Sequence, residues 1–254
     1  MGNGIAQAAV DRGLKTIDGS LDRLVKKNRL TAKAKARAMV LVSTATDTAA
    51  LADCDLIFEA ATENLELKLK LFASLDALAG SGAILASNTS SISITRLAAA
   101  TKRPDKVIGM HFFNPVPVMA LVELVRGLAT ADATCAAVEA VTKQLGKTPV
   151  KVRNSPGFVV NRLPCPMINE AIFALGEGLA TAQEIDEAMK LGCNHPIGLL
   201  AIADLIGVDV ELAVLQVLYE GFKDPKYRPA PLLVEMVEAG RLGRKSGRGF
   251  YSYG

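Results

Sequence analysis

The chain carries two histidines, and one of them, His111, follows the apolar run Val107-Ile-Gly-Met110. A short apolar run of this kind reads as a buried strand. Asn114-Pro115 and Pro117 break it immediately afterwards, so the imidazole stands where strand meets loop. Twelve residues on, Glu123 falls inside a second apolar run, 120–125. A carboxylate in such a run costs on the order of several kcal/mol unless it is paired, and an imidazole that takes up a proton is a suitable partner. That pairing is a general base with its orienter. The same residues also suit a core histidine satisfied by a backbone carbonyl, with Glu123 pointing outward from an edge strand. Spacing alone leaves both readings open.

The elements that position these residues alternate. Residues 17–30 have helical periodicity, with the basic cluster Lys26-Lys27-Asn28-Arg29 near the end, where cations suit the helix dipole. Residues 39–42 and 56–60 read as strands. Asn64 can cap a helix running through Leu78, with Gly80 ending it. A strand at 83–86 leads into the polar knot Ser87-Asn-Thr-Ser-Ser91, followed by a short helix at 92–100. The His111 and Glu123 strands come next, then a helix over 131–145 and a strand at 149–152. This order predicts a mostly parallel sheet with helices on both faces. Ligands of such sheets sit beyond the carboxyl ends of the strands, where 87–91 and His111 both lie. At Asn154-Ser155-Pro156-Gly157 the strand signals stop, and helical patterns fill 158–254 except at 192–198 and 224–229. We therefore expect an α/β domain over 1–153 and an all-helical domain over 154–254. The apolar face of 199–218 exceeds what a small helical module needs, which suggests burial against a second copy.

Composition narrows the class. The chain has 254 residues, half of them apolar and 22% charged, with a net charge of +3. That is ordinary α/β material, and the charge is too mild and dispersed for a nucleic-acid partner. No apolar run is long enough to span a membrane, and residues 1–7 lack the character of a signal peptide. The four cysteines, Cys54, Cys135, Cys165 and Cys193, form no metal-ligand spacing. They read as reduced thiols of a cytoplasmic protein, and no metal site is expected. Met1-Gly2-Asn3-Gly4 is similar to the end of a glycine-rich dinucleotide loop. No strand precedes it, no complete G-x-G-x-x-G is present, and no strand with a ribose-binding acid follows.

Five segments together resemble one family: Ser87-Asn-Thr-Ser90, Met110-His-Phe-Phe-Asn-Pro-Val-Pro-Val-Met119, Pro156-Gly-Phe-Val-Val-Asn-Arg162, Asn194-His-Pro-Ile-Gly198 and Gly243-Arg-Lys-Ser-Gly-Arg-Gly-Phe-Tyr251. They are similar, in order and spacing over nearly the whole chain, to the 3-hydroxyacyl-CoA dehydrogenases, nearest the bacterial short-chain 3-hydroxybutyryl-CoA type. The resemblance implies a Rossmann-type dinucleotide-binding domain followed by an all-α domain that binds substrate and dimerises. It implies His111 as the base that takes the 3-hydroxyl proton, Glu123 as its orienting carboxylate, and Ser90 and Asn161 as the groups holding the substrate oxygen. It places Gly2, Glu63, Lys68, Asn88, Ser90, Asn114 and Lys245 at the cofactor, and Ser20 and Lys27 at coenzyme A. Lys27 could equally be an ordinary helix-end charge and Lys68 a solvated helix lysine. His195 is read as structural. The implied cofactor is NAD, with NADP left open, and the implied partners are an acyl-CoA substrate and a second copy of the chain.

The chain also departs from the family pattern. Roughly a dozen residues are missing before Met1, and roughly 15 to 20 between Ala9 and Asp11, where the family carries its second strand and the ribose-binding acid. The abrupt junction, with everything after it in register, fits stretches left out of the numbered chain better than a true deletion. Pro164 stands where the family has an apolar helix residue, and it would cost about 3 kcal/mol outside a first helical turn. Leu199 and Arg241 are smaller departures. The expected activity is hydride transfer between a short (S)-3-hydroxyacyl-CoA and NAD. The alternative is an acyl-CoA-binding dimer that has lost the dinucleotide.

Overall fold

In the computed structural model of the chain the described residues are 10–254, with the backbone of the first helix reaching back to Gly2. They form two compact units, Met1–Asp55 with Ala77–Ala83, and Leu56–Asp76 with Ile84–Gly254.

The first unit is helical. Helix α1 (Gly2–Lys26) is continuous through the junction around residue 10, and Asn28 closes it with a left-handed φ of 54°. Helix α2 (Ala32–Val40) starts at Thr31, whose hydroxyl accepts from the Ala34 amide at 3.1 Å. Lys35 pairs with Asp18 and Asp22 at 2.7 and 2.6 Å and ties α2 to α1. The strand expected at 39–42 does not form. Met39 and Val40 end α2 instead, and Leu41 is exposed. The cap at Thr31 and the Ala/Lys/Arg-rich stretch behind it favour helix, and among the described residues 39–42 pair with no strand.

The second unit is built on a five-stranded sheet, β1 (Leu56–Glu59), β2 (Ile84–Ser87), β3 (Val107–Phe112), β4 (Leu121–Arg126) and β5 (Thr148–Arg153), in that spatial order. All pairings are parallel except β3 with β4. Helix α3 (Leu65–Leu78) is capped by Asn64, whose Oδ1 accepts from the Leu67 amide. Strand alternation sends Ile108, Met110, Val122 and Leu124 to one face, where they meet Cys135 and Val138 of α5 (Asp132–Gln144). Gly109 and Val125 face the other way against Ile94 of α4 (Ile94–Ala98); a Cβ at Gly109 would lie 2.8 Å from Val125 and 2.9 Å from Ile94. Helices therefore cover both faces. His111 and Glu123 share the α4 face, because each lies two positions from a residue that points there.

Beyond Arg153 the chain is helical: α6 (Pro164–Gly176), α7 (Ala182–Gly192), α8 (Leu199–Ile206), α9 (Val208–Phe222) and α10 (Pro231–Glu238). Pro164 is the first residue of α6, where its missing N–H is no loss, so the helix penalty does not arise. Leu199, Leu200, Ala203, Val208, Leu215 and Leu218 are all buried together with residues of α6 and α10. Most of the apolar face of 199–218 is thus used within the helical core, leaving Leu205, Ile206 and Val210 exposed. Two buried aspartates organise this part. Asp186 accepts from the Leu200 and Ala201 amides at the start of α8 and from the Tyr251 hydroxyl. Asp204 accepts from the Phe250 and Tyr251 amides and the Tyr253 hydroxyl. A Cβ at Gly198 would meet Asp186, and one at Gly243 or Gly249 would meet Asp204. Packing on the two aspartates therefore explains Gly198, Gly243 and Gly249, while Gly247 caps a short helix with a left-handed φ of 73°.

Candidate active site

His111 and Glu123 face each other directly across the antiparallel β3–β4 pair. Residues opposed in this way project side chains from the same face at close range, and His111 Nδ1 lies 2.8 Å from Glu123 Oε2. Both side chains are buried. The second carboxylate oxygen, Oε1, accepts from the backbone amides of Val159 and Val160, each at 3.0 Å. A carboxylate can only accept, so His111 presents Nδ1–H to it and keeps Nε2 free as an acceptor. The ring is flanked by Phe113, with centroids 4.6 Å apart, and Phe158 at 5.7 Å. Imidazole, carboxylate and two amides form a positioned base whose charged form has its counter-ion in place.

The Val159 and Val160 amides belong to the turn that carries Asn161. Its geometry depends on Gly157 and Phe158, with φ of 70° and 49°. A Cβ at Gly157 would lie 2.7 Å from the Leu218 side chain and 3.2 Å from the Arg162 amide nitrogen. Glu123 thus connects His111 to the segment that carries Asn161.

The second cluster sits at the carboxyl ends of β1 and β2. Glu63 Oε1 accepts from the Thr89 hydroxyl, the Ser90 amide, and the Ser90 and Ser91 hydroxyls, at 2.8 to 3.0 Å. Asn88 Oδ1 accepts from the Phe112 amide at 3.0 Å, joining the end of β2 to β3. Lys68 is not a solvated helix lysine. Its side chain is 2% exposed, with Nζ 2.6 Å from Glu59 Oε2 and 3.8 Å from Glu63 Oε2. Glu59 also accepts from the Ala61 amide and the Ser87 hydroxyl. Burial alone would raise the pKa of Glu59, but Lys68, the Ala61 amide and the Ser87 hydroxyl together hold it below the usual range. Neither Glu59 nor Ser87 was singled out from sequence. The signal was there, since Glu59 ends the apolar run Leu56-Ile-Phe just as Glu123 sits inside one.

The other expected residues make contacts of their own. Asn114 is exposed in the loop after β3. That loop is held by Lys147, whose ammonium donates to the carbonyls of Val116 and Met119. Lys245 is paired with Asp209 at 2.6 Å in the helical part. Ser20, on α1 of the first unit, donates to the Thr16 carbonyl and accepts from Arg23. Lys27 is exposed just past the end of α1. Gly2 falls outside the described residues apart from its place in α1. His195 lies in the turn between α7 and α8, its amide bonded to the Met189 carbonyl. No cluster of side chains able to hold a metal ion occurs among the described residues.

Glu63, Asn88 and Ser90 offer a carboxylate, an amide and a hydroxyl where parallel strands end. This donor chemistry suits the ribose hydroxyls and carboxamide of a nicotinamide riboside. Fold and site together define a dinucleotide-dependent oxidoreductase in which an imidazole can take the proton of a substrate hydroxyl.

The relatives make this class specific. Residues 2–155 match the sequence model for the NAD binding domain of 3-hydroxyacyl-CoA dehydrogenase, and residues 157–253 match the one for its C-terminal domain. A 3-hydroxybutyryl-CoA dehydrogenase of Bradyrhizobium diazoefficiens is 52% identical, with an alignment covering all of this chain and 92% of the relative. That alignment runs over 269 residues against the chain's 254, so it passes over positions with no counterpart here. The crystal structure of (S)-3-hydroxybutyryl-CoA dehydrogenase PaaH1 from Ralstonia eutropha superposes with a TM-score of 0.95 at 63% identity, covering 97% of this chain and 87% of that one. The structure of FadB2 from Mycobacterium tuberculosis gives 0.93 at 45% identity, with the same coverage. The chain belongs to the 3-hydroxyacyl-CoA dehydrogenase family, and its cofactor is NAD.

Proposed function

We propose that the chain interconverts a short (S)-3-hydroxyacyl-CoA, most simply 3-hydroxybutyryl-CoA, and the 3-oxoacyl-CoA. The observation that carries the assignment of roles is the buried Glu123 carboxylate, with one oxygen on His111 Nδ1 and the other on two amides of the Asn161 turn. The substrate's 3-hydroxyl gives its proton to His111 Nε2. The imidazolium so formed is stabilised by Glu123, whose carboxylate is held in place by the Val159 and Val160 amides. The hydride of C3 would pass to bound NAD, so the alcohol group gives up two electrons and two protons in all, one proton to His111 and the other within the hydride. Ser90 and Asn161 hold the substrate oxygen. Glu63, Lys68, Asn88, Asn114 and Lys245 serve the nicotinamide side, and Ser20 and Lys27 serve coenzyme A.

The work divides between residues 1–153, which hold the cofactor and the base, and residues 154–254, which supply Asn161. The helical part also forms a homodimer. Exposed Leu163, Leu179 and Leu191 support this, as does an apolar groove of about 350 Å³ lined by Met167, Ala174, Ile185 and Met189. The reading in which the chain only binds acyl-CoA is not favoured, because an inert binder has no use for an oriented base.

His111→Gln removes the base and keeps the shape. Turnover should fall by roughly 10²–10⁴-fold or more while the NADH dissociation constant stays nearly unchanged in a fluorescence titration. A parallel loss of NADH binding would mean His111 belongs to the cofactor and not to the chemistry.

A further inference from the structure

We infer that Glu59 is a positioning residue of the cofactor site, stationing the Lys68 ammonium behind Glu63 so that Glu63 can grip the loop carrying Ser90. This rests on the dehydrogenase reading above. The contacts run in one line. Glu59 and Lys68 are paired at 2.6 Å with side chains 5% and 2% exposed. The same ammonium is 3.8 Å from Glu63 Oε2. The opposite oxygen of Glu63 takes the four donors of Thr89, Ser90 and Ser91. Glu59 also accepts from the Ser87 hydroxyl, and its own carbonyl accepts from the Asn88 amide at 2.8 Å. One buried carboxylate therefore fixes both the start of the 87–91 loop and the cation behind its clamp.

Lys68 reaches this point from α3, and the charged groups on it among the described residues are Glu59 from β1 and Glu63 from the following loop. With Glu63 half exposed, Glu59 is the buried counter-charge of this ammonium. A plain structural ion pair would leave NADH affinity unchanged in any variant that folds, and rescue by Glu59→Asp separates the two roles. In Glu59→Gln the Lys68 ammonium keeps only its longer contact to Glu63. Its hold on Glu63, and with it the Ser90 loop, then weakens.

The test measures amide hydrogen exchange at residues 89–91 and NADH affinity on the full chain, for wild type, Glu59→Asp, Glu59→Gln, and the double variant Glu59→Gln/Lys68→Met. The double variant leaves no uncompensated buried charge, so it folds where the single variant is strained. We expect Glu59→Gln to bind NADH roughly tenfold more weakly than the wild type, and Glu59→Asp to recover part of that loss. The double variant should be at least as weak, and exchange at 89–91 should be faster in it and in Glu59→Gln. Wild-type exchange and wild-type affinity in the double variant would overturn the inference. Faster exchange with unchanged affinity would overturn its cofactor part. Failure of the wild type to bind NADH at all would count against the dehydrogenase reading, whereas the exchange data would still report whether Glu59 governs the loop.

Discussion

Two of the buried glutamates, Glu123 and Glu211, have surroundings that set opposite fates. Glu123 has three hydrogen-bond donors. Glu211 on α9 is fully buried, and neither carboxylate oxygen has a hydrogen-bond partner. Its near neighbour Cys165 is a thiol whose own pKa burial and the Glu211 charge push up. Burial raises the pKa of Glu211 to about 7. A carboxyl group whose folded pKa lies above its unfolded value favours folding fully only below the unfolded value, and that contribution fades as pH rises to the folded one. The chain should therefore lose about 3 kcal/mol of stability between about pH 4.5 and about pH 7 from this group alone. Urea midpoints measured across that range should show the slope in the wild type and lose it in Glu211→Gln. Glu211→Leu should be the more stable protein at pH 8, since it replaces an unpaired buried charge by apolar contact. A wild-type slope that survives both substitutions would place the titration elsewhere.

At the scale of elements, the turn at 156–162 links packing to chemistry. Gly157→Ala has to bear both a positive φ and a Cβ pressed against Leu218 and the Arg162 backbone. Gly146 has the same φ of 70° with open space around it. Each substitution should cost about 1 kcal/mol or more in stability from conformation. Gly157→Ala should also lower kcat, because the Val159 and Val160 amides move off Glu123, and Gly146→Ala should not. Equal kcat values in the two variants would uncouple the turn from the base. The strands of the sheet could be read from sequence because each is a short apolar run bounded by breakers. Residues 39–42 are also such a run, yet they end a helix, because propensity and the Thr31 cap decide where, among the described residues, no strand pairs with the run. His111 with Glu123 was legible because both lie in apolar runs. Glu59 with Lys68 was not, because β1 and α3 must be placed before a carboxylate and a lysine nine residues apart can be seen to meet. Gly243, Gly249 and the Phe250 and Tyr251 amides of the 243–251 motif pack on Asp204, a role that sequence alone does not show because Asp204 lies 46 residues before Phe250.

For the whole molecule, the exposed leucines of the helical part carry the prediction. Light scattering should give about twice 26.8 kDa for the full chain. Leu179→Glu and Leu191→Glu, both on residues more than three-quarters exposed, should shift the mass to the monomer without unfolding it. A wild-type mass of 26.8 kDa would end the dimer proposal. A last consequence follows from Lys147. The loop that leaves His111 and carries Asn114 closes through the Val118 and Met119 amides on the Pro115 carbonyl, and one lysine ammonium adds contacts to two further carbonyls from a nitrogen that acetylation can cap. Acetylation of that nitrogen removes the charge and leaves at most one N–H to donate. Protease cleavage at Val116–Met119 should then be faster in Lys147→Gln than in the wild type, while the buried His111–Glu123 pair stays in place.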